Sequence, residues 1–200
     1  MADEHEDEID PRMFAEKPAF SDKIEKTLYD ANTHIIHGEL TAFSCYDHTS
    51  TLEAMAVKTL NEAPRRNIKV ILNSVGGNVF DGLLIFDTIE SIRRRGVDVF
   101  VEVRGLAASM AAVLLQSGTK RTSSKYTRFM LHEVSDVAFG KTTDVEEQAI
   151  ELRKVNNMLA QILAGRCGRP IEELEQKMRK KDYWLSAAEA LAFGLIDEVV

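Results

Sequence analysis

Hydrophobic and polar positions repeat with two different periods along this chain, and these periods predict strands that alternate with helices. Residues 33–40, 68–72 and 97–103 are short segments rich in β-branched side chains and bounded by turn residues, which is typical of strands. Apolar residues spaced three and four apart predict helices over residues 50–63 and 79–95. Strand, helix and strand at this spacing favour right-handed crossovers, so the sequence predicts an α/β fold with a mostly parallel sheet.

The second half of the chain continues the alternation with shorter strands and the longest helix. The predicted elements are strands over residues 121–124, 127–131 and 196–200, and helices over residues 143–164, 171–179 and 187–193. A capping box formed by Ser186 and Glu189 opens the last helix. Residues 23–29 are compatible with a short helix or an extended lead-in. These patterns predict one domain over residues 23–200.

Composition and charge narrow the classes of function. Residues 1–22 predict a flexible arm, because six of the first ten residues are acidic and no periodicity is sustained. The net charge of −7 argues against a nucleic-acid partner, and no run approaches the roughly 18 apolar residues that a membrane span needs. Two cysteines are too few for a disulfide framework. The sequence therefore predicts a cytoplasmic protein without nucleic-acid or membrane partners.

Ser109 lies where a predicted strand and a glycine-containing turn lead into the apolar run 110–115. At such a junction the serine hydroxyl lies beside the backbone N–H groups at the start of the helix. These N–H groups can form an oxyanion hole, because they can donate hydrogen bonds to a developing negative charge. Serine is also a common helix N-cap. From the local sequence alone, Ser109 is compatible with both roles.

A serine nucleophile needs a base and a third group that orients the base. Among five histidines, His132 follows a short strand beyond Ser109, although a histidine there is also often a hydrogen-bonded core residue. His34 and His37 lack neighbours at metal-ligand spacing and are interpreted as structural. Among several later carboxylates, Asp182 stands between a basic helix end and an aromatic pair, which predicts a partly buried side chain that needs a partner.

Gly76 and Gly77 follow the predicted strand over residues 68–72. Two glycines there indicate either a tight turn with positive φ or a backbone N–H group that a substrate carbonyl can approach. Because ligands sit at the carboxyl ends of parallel strands, we expect the glycine pair and Ser109 on one face. No phosphate-binding glycine motif occurs in the sequence.

Five stretches in a fixed order carry a resemblance to a known family, the ATP-dependent Clp protease proteolytic subunits (ClpP). They read NSVGGNVFDGLLIFDTI, GLAASMAAVLL, RFMLHEV, GKTTDVEEQAIEL and KDYWLSAAEALAFGLIDEVV. They resemble the family's NSPGGxVxxGxxIYDTM, GxAASMGAxLL, RxM[IL]HQP, GxATDIxxxAxE[IL] and DRxx[ML][ST]AxEAxxYG[LI][IV]D. The resemblance covers residues 33–200.

The resemblance implies a role for each residue singled out above. Ser109 would be the nucleophile, His132 the general base and Asp182 the group that orients the base. The backbone N–H groups of Gly77 and Met110 would form the oxyanion hole. No metal or organic cofactor is implied.

The resemblance also implies an architecture and partners. The expected fold is the crotonase/ClpP-like α/β fold of repeated β-β-α units, with a protruding handle helix over about residues 143–164. Members of this family form two stacked heptameric rings around a chamber, and an AAA+ unfoldase feeds them unfolded polypeptides. We therefore expect a homo-oligomer with unfolded polypeptide substrates.

The chain departs from the family pattern at several positions. Val75 replaces a proline, Ala111 replaces a glycine, and Glu133-Val134 replaces Gln-Pro after the histidine. Lys180-Lys181 stands where the family has an acidic residue and an arginine associated with ring–ring contact. The acidic arm replaces the family's axial-loop sequence. Divergence of this kind is typical of a phage-type member.

Three other functions are compatible with parts of the pattern. One is a catalytically inactive ring subunit of a Clp-type complex, and another is a crotonase-type acyl-CoA enzyme, whose fold shares the oxyanion-hole logic. The third is a Ser–Lys peptidase, for which Lys120, Lys125 and Lys141 are the candidate bases.

Overall fold

A computed structural model describes residues 19–135, 139–179 and 181–200 of the 200-residue chain. The sequence predicted an acidic arm over residues 1–22. Residues 1–18 of this arm lie outside the described residues, and residues 19–22 belong to the first helix.

Helices and strands alternate through the described chain. The helices are α1 (Ala19–Asp30), α2 (Ala42–Leu60), α3 (Val79–Arg94), α4 (Met110–Leu114), α5 (Thr142–Cys167), α6 (Ile171–Met178) and α7 (Ala187–Phe193). The strands are β1 (Thr33–Leu40), β2 (Ile68–Gly77), β3 (Val99–Ala108), β4 (Lys120–Ser123), β5 (Arg128–Leu131), β6 (Tyr183–Ser186) and β7 (Glu198–Val199).

The sheet has the order β1-β2-β3-β4-β7, and all of these neighbours are parallel. β3 has two partners on one side: its first half pairs with β4, and its last three residues pair with β5. β6 then joins β5 in the antiparallel direction. The predicted α/β class with a mostly parallel sheet and a long separate helix is confirmed.

The core lies between one face of the sheet and the helices. Ile68, Val70 and Leu72 alternate along β2 and are fully buried, as are Val99, Val101 and Val103 along β3. The alternate residues of both strands are partly exposed, since the opposite face of the sheet is open in a single chain. This period of two is what a sheet covered on one face produces.

α2 begins at Ala42, eight residues before the predicted start at residue 50. Thr41 is its N-cap, and the Thr41 hydroxyl accepts a hydrogen bond from the backbone N–H of Ser44 at 3.3 Å. The first two turns present Phe43 and Tyr46 to solvent, so they lack the buried apolar stripe on which the prediction depended. The predicted cap near residue 50 is therefore wrong.

Two strands extend well beyond their predicted ends, and one strand was not predicted. β2 continues five residues beyond the predicted end at residue 72, and β3 continues to Ala108 through Gly105. Gly105 has a φ of 90° and lies where the pairing of β2 with β3 shifts register, so the predicted turn is an irregularity within a strand. β6 has no predicted counterpart.

A pair of histidines joins β1 to α2. The Nε2 atom of His34 and the Nδ1 atom of His48 are 3.0 Å apart, and the two rings meet edge to face. Burial, with the charge of His48, lowers the pKa of His34 to about 4, and burial also lowers the pKa of His48 against the opposing effect of Asp47. The pair is therefore structural and neutral at pH 7.

We expect the folded state to lose stability as the pH falls from about 6.5 to about 4. The unfolded chain binds a proton at His34 in this range, whereas the folded chain does not, so acid favours unfolding. Between pH 7 and pH 5 the loss from His34 is about 2 kcal/mol. Urea unfolding of wild type, His34→Gln and the exposed control His37→Gln at both pH values measures it. An unchanged pH dependence in His34→Gln would contradict the assignment.

Candidate active site

The strand pairings bring three distant residues to one edge of the sheet. Ser109 directly follows β3, His132 directly follows β5 and Asp182 directly precedes β6. Ala108 pairs with Met130 and Leu131 pairs with Tyr183, so each of the three residues comes one position beyond a paired residue.

Ser109 has the backbone conformation of a sharp strand-to-helix turn. Its φ is 55° and its ψ is −128°, which is a strained combination for a residue with a side chain. Its backbone N–H donates to the carbonyl oxygen of Met130 at 2.8 Å, which fixes the turn against β5. The side chain makes no capping bond to α4, so its hydroxyl is available for another contact.

The Ser109 hydroxyl lies beside the ring of His132. The distance from Ser109 Oγ to His132 Nε2 is 2.7 Å, which is hydrogen-bond length. Ser109 occupies the N-cap position of α4, but its side chain makes no capping hydrogen bond, so the structure does not support the N-cap interpretation. The contact can pass the hydroxyl proton to the imidazole.

Asp182 lies on the other side of the His132 ring. The distance from Asp182 Oδ1 to His132 Nδ1 is 3.9 Å, which is within ion-pair range and longer than a hydrogen bond. The Asp182 side chain is 53% exposed, more than the sequence predicted, because it stands in the connection between α6 and β6. The structure thus brings all three residues together but leaves the second contact open.

The two glycines at the end of β2 allow a close approach of backbones. A Cβ atom on Gly76 would lie 2.7 Å from the carbonyl oxygen of Ala108 and 2.8 Å from Ser109 Cβ. A Cβ atom on Gly77 would lie 2.2 Å from the carbonyl oxygen of Leu40. Both glycines also have positive φ, so a turn conformation and a close approach to the serine occur together here.

Gly77, Ser109 and Met110 line one cavity. Met110 is the first residue of α4, where backbone N–H groups have no partner within the helix. Its side chain is buried against α3, because Gly82 leaves room for it. A Cβ atom on Gly82 would lie 2.3 Å from Met110 Cγ.

We expect Gly82→Ala to slow turnover by roughly tenfold, because the added methyl group displaces Met110 and with it the start of α4. Gly165→Ala on α5 is the matched control, since a Cβ atom there meets nothing within 4 Å. The control should keep full turnover and gain a little helix stability. Peptide hydrolysis and thermal unfolding of both variants measure this. Equal turnover in the two variants would contradict the role given to Gly82.

The cavity beside Ser109 is mostly apolar and has a volume of about 90 Å³. Its walls come from the segment after His132 and from four helices. The apolar lining residues are Val79, Met110, Val113, Leu131, Val134, Leu159, Leu163 and Met178. Such a cavity can hold one aliphatic side chain next to the serine.

The sequence did not single out the helix residues that complete this cavity. Asn156, Leu159 and Leu163 come from α5, and Met178 comes from the end of α6. Of the three α5 residues, only Leu159 belongs to the apolar stripe that predicted the helix. The stripe indicates burial, but it does not say that part of the buried surface lines a cavity.

The described residues form neither a metal-binding cluster nor a helix that could span a membrane. No group of three or more His, Cys, Asp or Glu side chains that could hold a metal ion occurs among them. Within the same residues, no helix is long and apolar enough to cross a membrane. Cys45 and Cys167 are both buried with free thiols.

Comparisons with known proteins identify the family of this chain. A family model described as Clp protease matches residues 21–200. The chain is 38% identical over 157 residues to an ATP-dependent Clp protease proteolytic subunit of Porphyromonas gingivalis, an alignment that covers 77% of this chain and 69% of the relative. It is 40% identical over 141 residues to an ATP-dependent Clp protease proteolytic subunit 2 of Parasynechococcus marenigrum, covering 70% of each. The chain belongs to the Clp protease family.

Proposed function

We propose that this chain is a serine endopeptidase that cleaves unfolded polypeptides inside an oligomeric chamber. The observation that carries the proposal is Ser109, held at a φ of 55° with its hydroxyl 2.7 Å from His132 Nε2. A strained turn that presents a serine to an imidazole is the arrangement that nucleophilic acyl transfer needs.

The reaction would proceed in two halves through an acyl-enzyme. Ser109 Oγ attacks the peptide carbonyl while His132 Nε2 accepts the hydroxyl proton, and His132 then gives that proton to the leaving amine. A water molecule next attacks the ester, its proton passes to His132, and the acyl group leaves as a carboxylic acid while the proton returns to Ser109. Asp182 would orient the imidazole and stabilise its charged form.

The oxyanion formed in each half would be stabilised by the backbone N–H groups of Gly77 and Met110. Both residues line the cavity that Ser109 faces, and neither contact depends on a side chain. Donors fixed by the backbone need no reorganisation when charge develops on the substrate oxygen. The apolar cavity beside them would hold a substrate side chain next to the scissile bond.

The chamber would be formed by copies of this chain. Helices α2 and α3 expose Phe43 and Phe80, 80% and 67% exposed, on their outer side. The open face of the sheet, on the other side of the molecule, carries the exposed Ile35 and Val75. Two different apolar surfaces on one subunit favour a head-to-tail contact, and such contacts form a ring when the rotation between neighbouring subunits closes. The relatives are named as proteolytic subunits, which supports an oligomer, and the resemblance implies two stacked heptameric rings.

We expect the wild type to sediment as a particle many times heavier than the 22.4 kDa chain. Phe80→Glu places a charge on the outer helix surface and should shift the particle to smaller species, because burying an unpaired charge in a contact is costly. Asp87→Asn, an exposed change on the same helix, is the control. Analytical ultracentrifugation checks all three. A wild type that sediments as single chains would contradict the ring.

The outer half of α5 would form the contact between the two rings. Residues 142–154 are mostly exposed and include the apolar side chains of Val145 and Ile150, so this part of the handle helix would contact the second ring.

The relatives are named ATP-dependent, and this chain has no nucleotide-binding motif. An AAA+ unfoldase in the cytoplasm would therefore supply unfolded chains.

One observation favours the alternative of an inactive ring subunit. The 3.9 Å gap between Asp182 and His132 leaves the imidazole without its orienting hydrogen bond. The Ser–Lys alternative has less support. Lys120 pairs with Glu198 at 2.5 Å, Lys125 lies over the ring of Tyr126, and the described cavity lining contains no lysine. A crotonase-type acyl-CoA enzyme would not need the serine–histidine contact.

Labelling with a fluorophosphonate tests the proposal. Ser109 Oγ would form a bond to phosphorus, fluoride would leave, and His132 would take the hydroxyl proton. We expect one adduct per chain, located on Ser109 by peptide mass. No adduct on the assembled particle would favour the inactive subunit, and an adduct that persists in His132→Ala would favour a lysine base.

A further inference from the structure

The segment after His132 is held by a side chain of the handle helix. Residues 132–135 belong to no helix or strand, yet they carry the general base and one wall of the cavity. The backbone N–H of Val134 donates to Asn156 Oδ1 at 3.1 Å. Asn156 therefore fixes the backbone two residues beyond His132.

Asn156 stands where α5 enters the body of the protein. Residues 142–154 are mostly exposed, whereas Val155 directly before Asn156, and Leu159 and Leu163 on the turns after it, are buried. Because these three side chains are buried, the part of α5 that carries Asn156 is held rigidly in place. A hydrogen bond from a packed helix can then place an irregular segment, as supporting residues place ligands in other sites.

The hydrogen bond coincides with a departure from the family pattern. The related motif reads His-Gln-Pro, and proline has a fixed φ and no N–H group. This chain has Val134 at the proline position, which adds backbone freedom and a donor. The amide oxygen of Asn156 pairs with that donor and restrains the segment in place of the proline ring.

We propose that Asn156 is a positioning residue of the peptidase site, which holds His132 against Ser109 through the backbone of Val134. This inference rests on the proposed serine peptidase function. Loss of the acceptor would let the segment move, so that the 2.7 Å contact between Ser109 Oγ and His132 Nε2 is populated less often. The chemical step slows, while the binding of a reagent that does not use the segment stays the same.

Fluorophosphonate labelling kinetics separate this role from a structural one. Asn156→Leu removes the acceptor at similar volume, Asn156→Ala removes it without a bulky replacement, and Asn156→Asp keeps an acceptor oxygen. Asn157→Ala, one residue further along the exposed side of α5, is the matched control. The maximal labelling rate and the concentration for half-maximal rate are measured on assembled particles, at a pH on the plateau of the wild-type profile. Circular dichroism and thermal unfolding identify any variant that does not fold.

We expect the Leu and Ala variants to label about tenfold more slowly at saturation, with an unchanged half-saturating concentration. The Asp variant and the Asn157→Ala control should stay within about twofold of wild type. Folded Leu and Ala variants that label at the wild-type rate would overturn the proposal, as would an Asp variant as slow as the Leu variant. A wild type that does not label would instead overturn the proposed function.

Discussion

Ser109→Ala is expected to lower peptide hydrolysis by about 10⁵-fold or more. The variant loses the only oxygen that His132 contacts at hydrogen-bond distance among the described residues, so no acyl-enzyme can form. The backbone around residue 109 stays in place, because the turn is fixed by the N–H of residue 109 and the glycines packed against it. The assay is hydrolysis of a short fluorogenic peptide by purified particles, which needs no unfoldase.

Ser50→Ala is the matched control for this substitution. Ser50 is an exposed residue of α2, and it is not part of the described cavity lining. The control should keep its activity within about threefold of wild type, because most surface substitutions change little. Equal activity of Ser109→Ala and the control would show that another nucleophile or a contaminating protease hydrolyses the peptide.

Helices and strands with a clear hydrophobic periodicity were predicted well. Those that form only through contacts with distant parts of the chain were not. β1 begins and ends at the predicted residues, because it carries turn residues at both ends. β6 was missed, since its four residues become a strand only by pairing with β5. The first turns of α2 were missed because their large apolar side chains face solvent. The prediction relied on apolar residues that form a buried stripe, and these turns have none.

The residues of the candidate site also differ in how far the sequence alone could predict them. Local patterns singled out Ser109, His132 and the glycine pair, since each lies at a strand end. Asp182 was singled out by its place between a basic helix end and an aromatic pair, but the sequence could not show its contact, because only the antiparallel pairing of β5 with β6 places it beside His132. Asn156 could not be predicted, as a polar residue in an amphipathic helix gives no sign that it contacts a backbone 22 residues earlier.

Asp182→Asn is expected to lower kcat by about 10³- to 10⁴-fold at pH 7. An asparagine keeps the size of the side chain but removes its charge, so it neither fixes the imidazole tautomer that accepts the serine proton nor stabilises the imidazolium. Asp87→Asn, an exposed carboxylate on α3, is the control and should leave kcat unchanged. The effect should appear in kcat more than in KM, because Asp182 is not part of the cavity lining.

The size of this effect measures whether the gap at Asp182 closes during catalysis. A hydrogen bond between carboxylate and imidazole needs a separation near 2.8 Å, about 1 Å shorter than the 3.9 Å between Asp182 and His132. The Asp182 side chain is 53% exposed, so its movement toward His132 would disrupt no buried packing, and the antiparallel pairing of Leu131 with Tyr183 keeps the two residues in register. A large loss of kcat in Asp182→Asn therefore means that the assembled particle closes the contact. A loss below about threefold means that His132 acts on Ser109 without an orienting carboxylate, and the site is then a serine–histidine dyad.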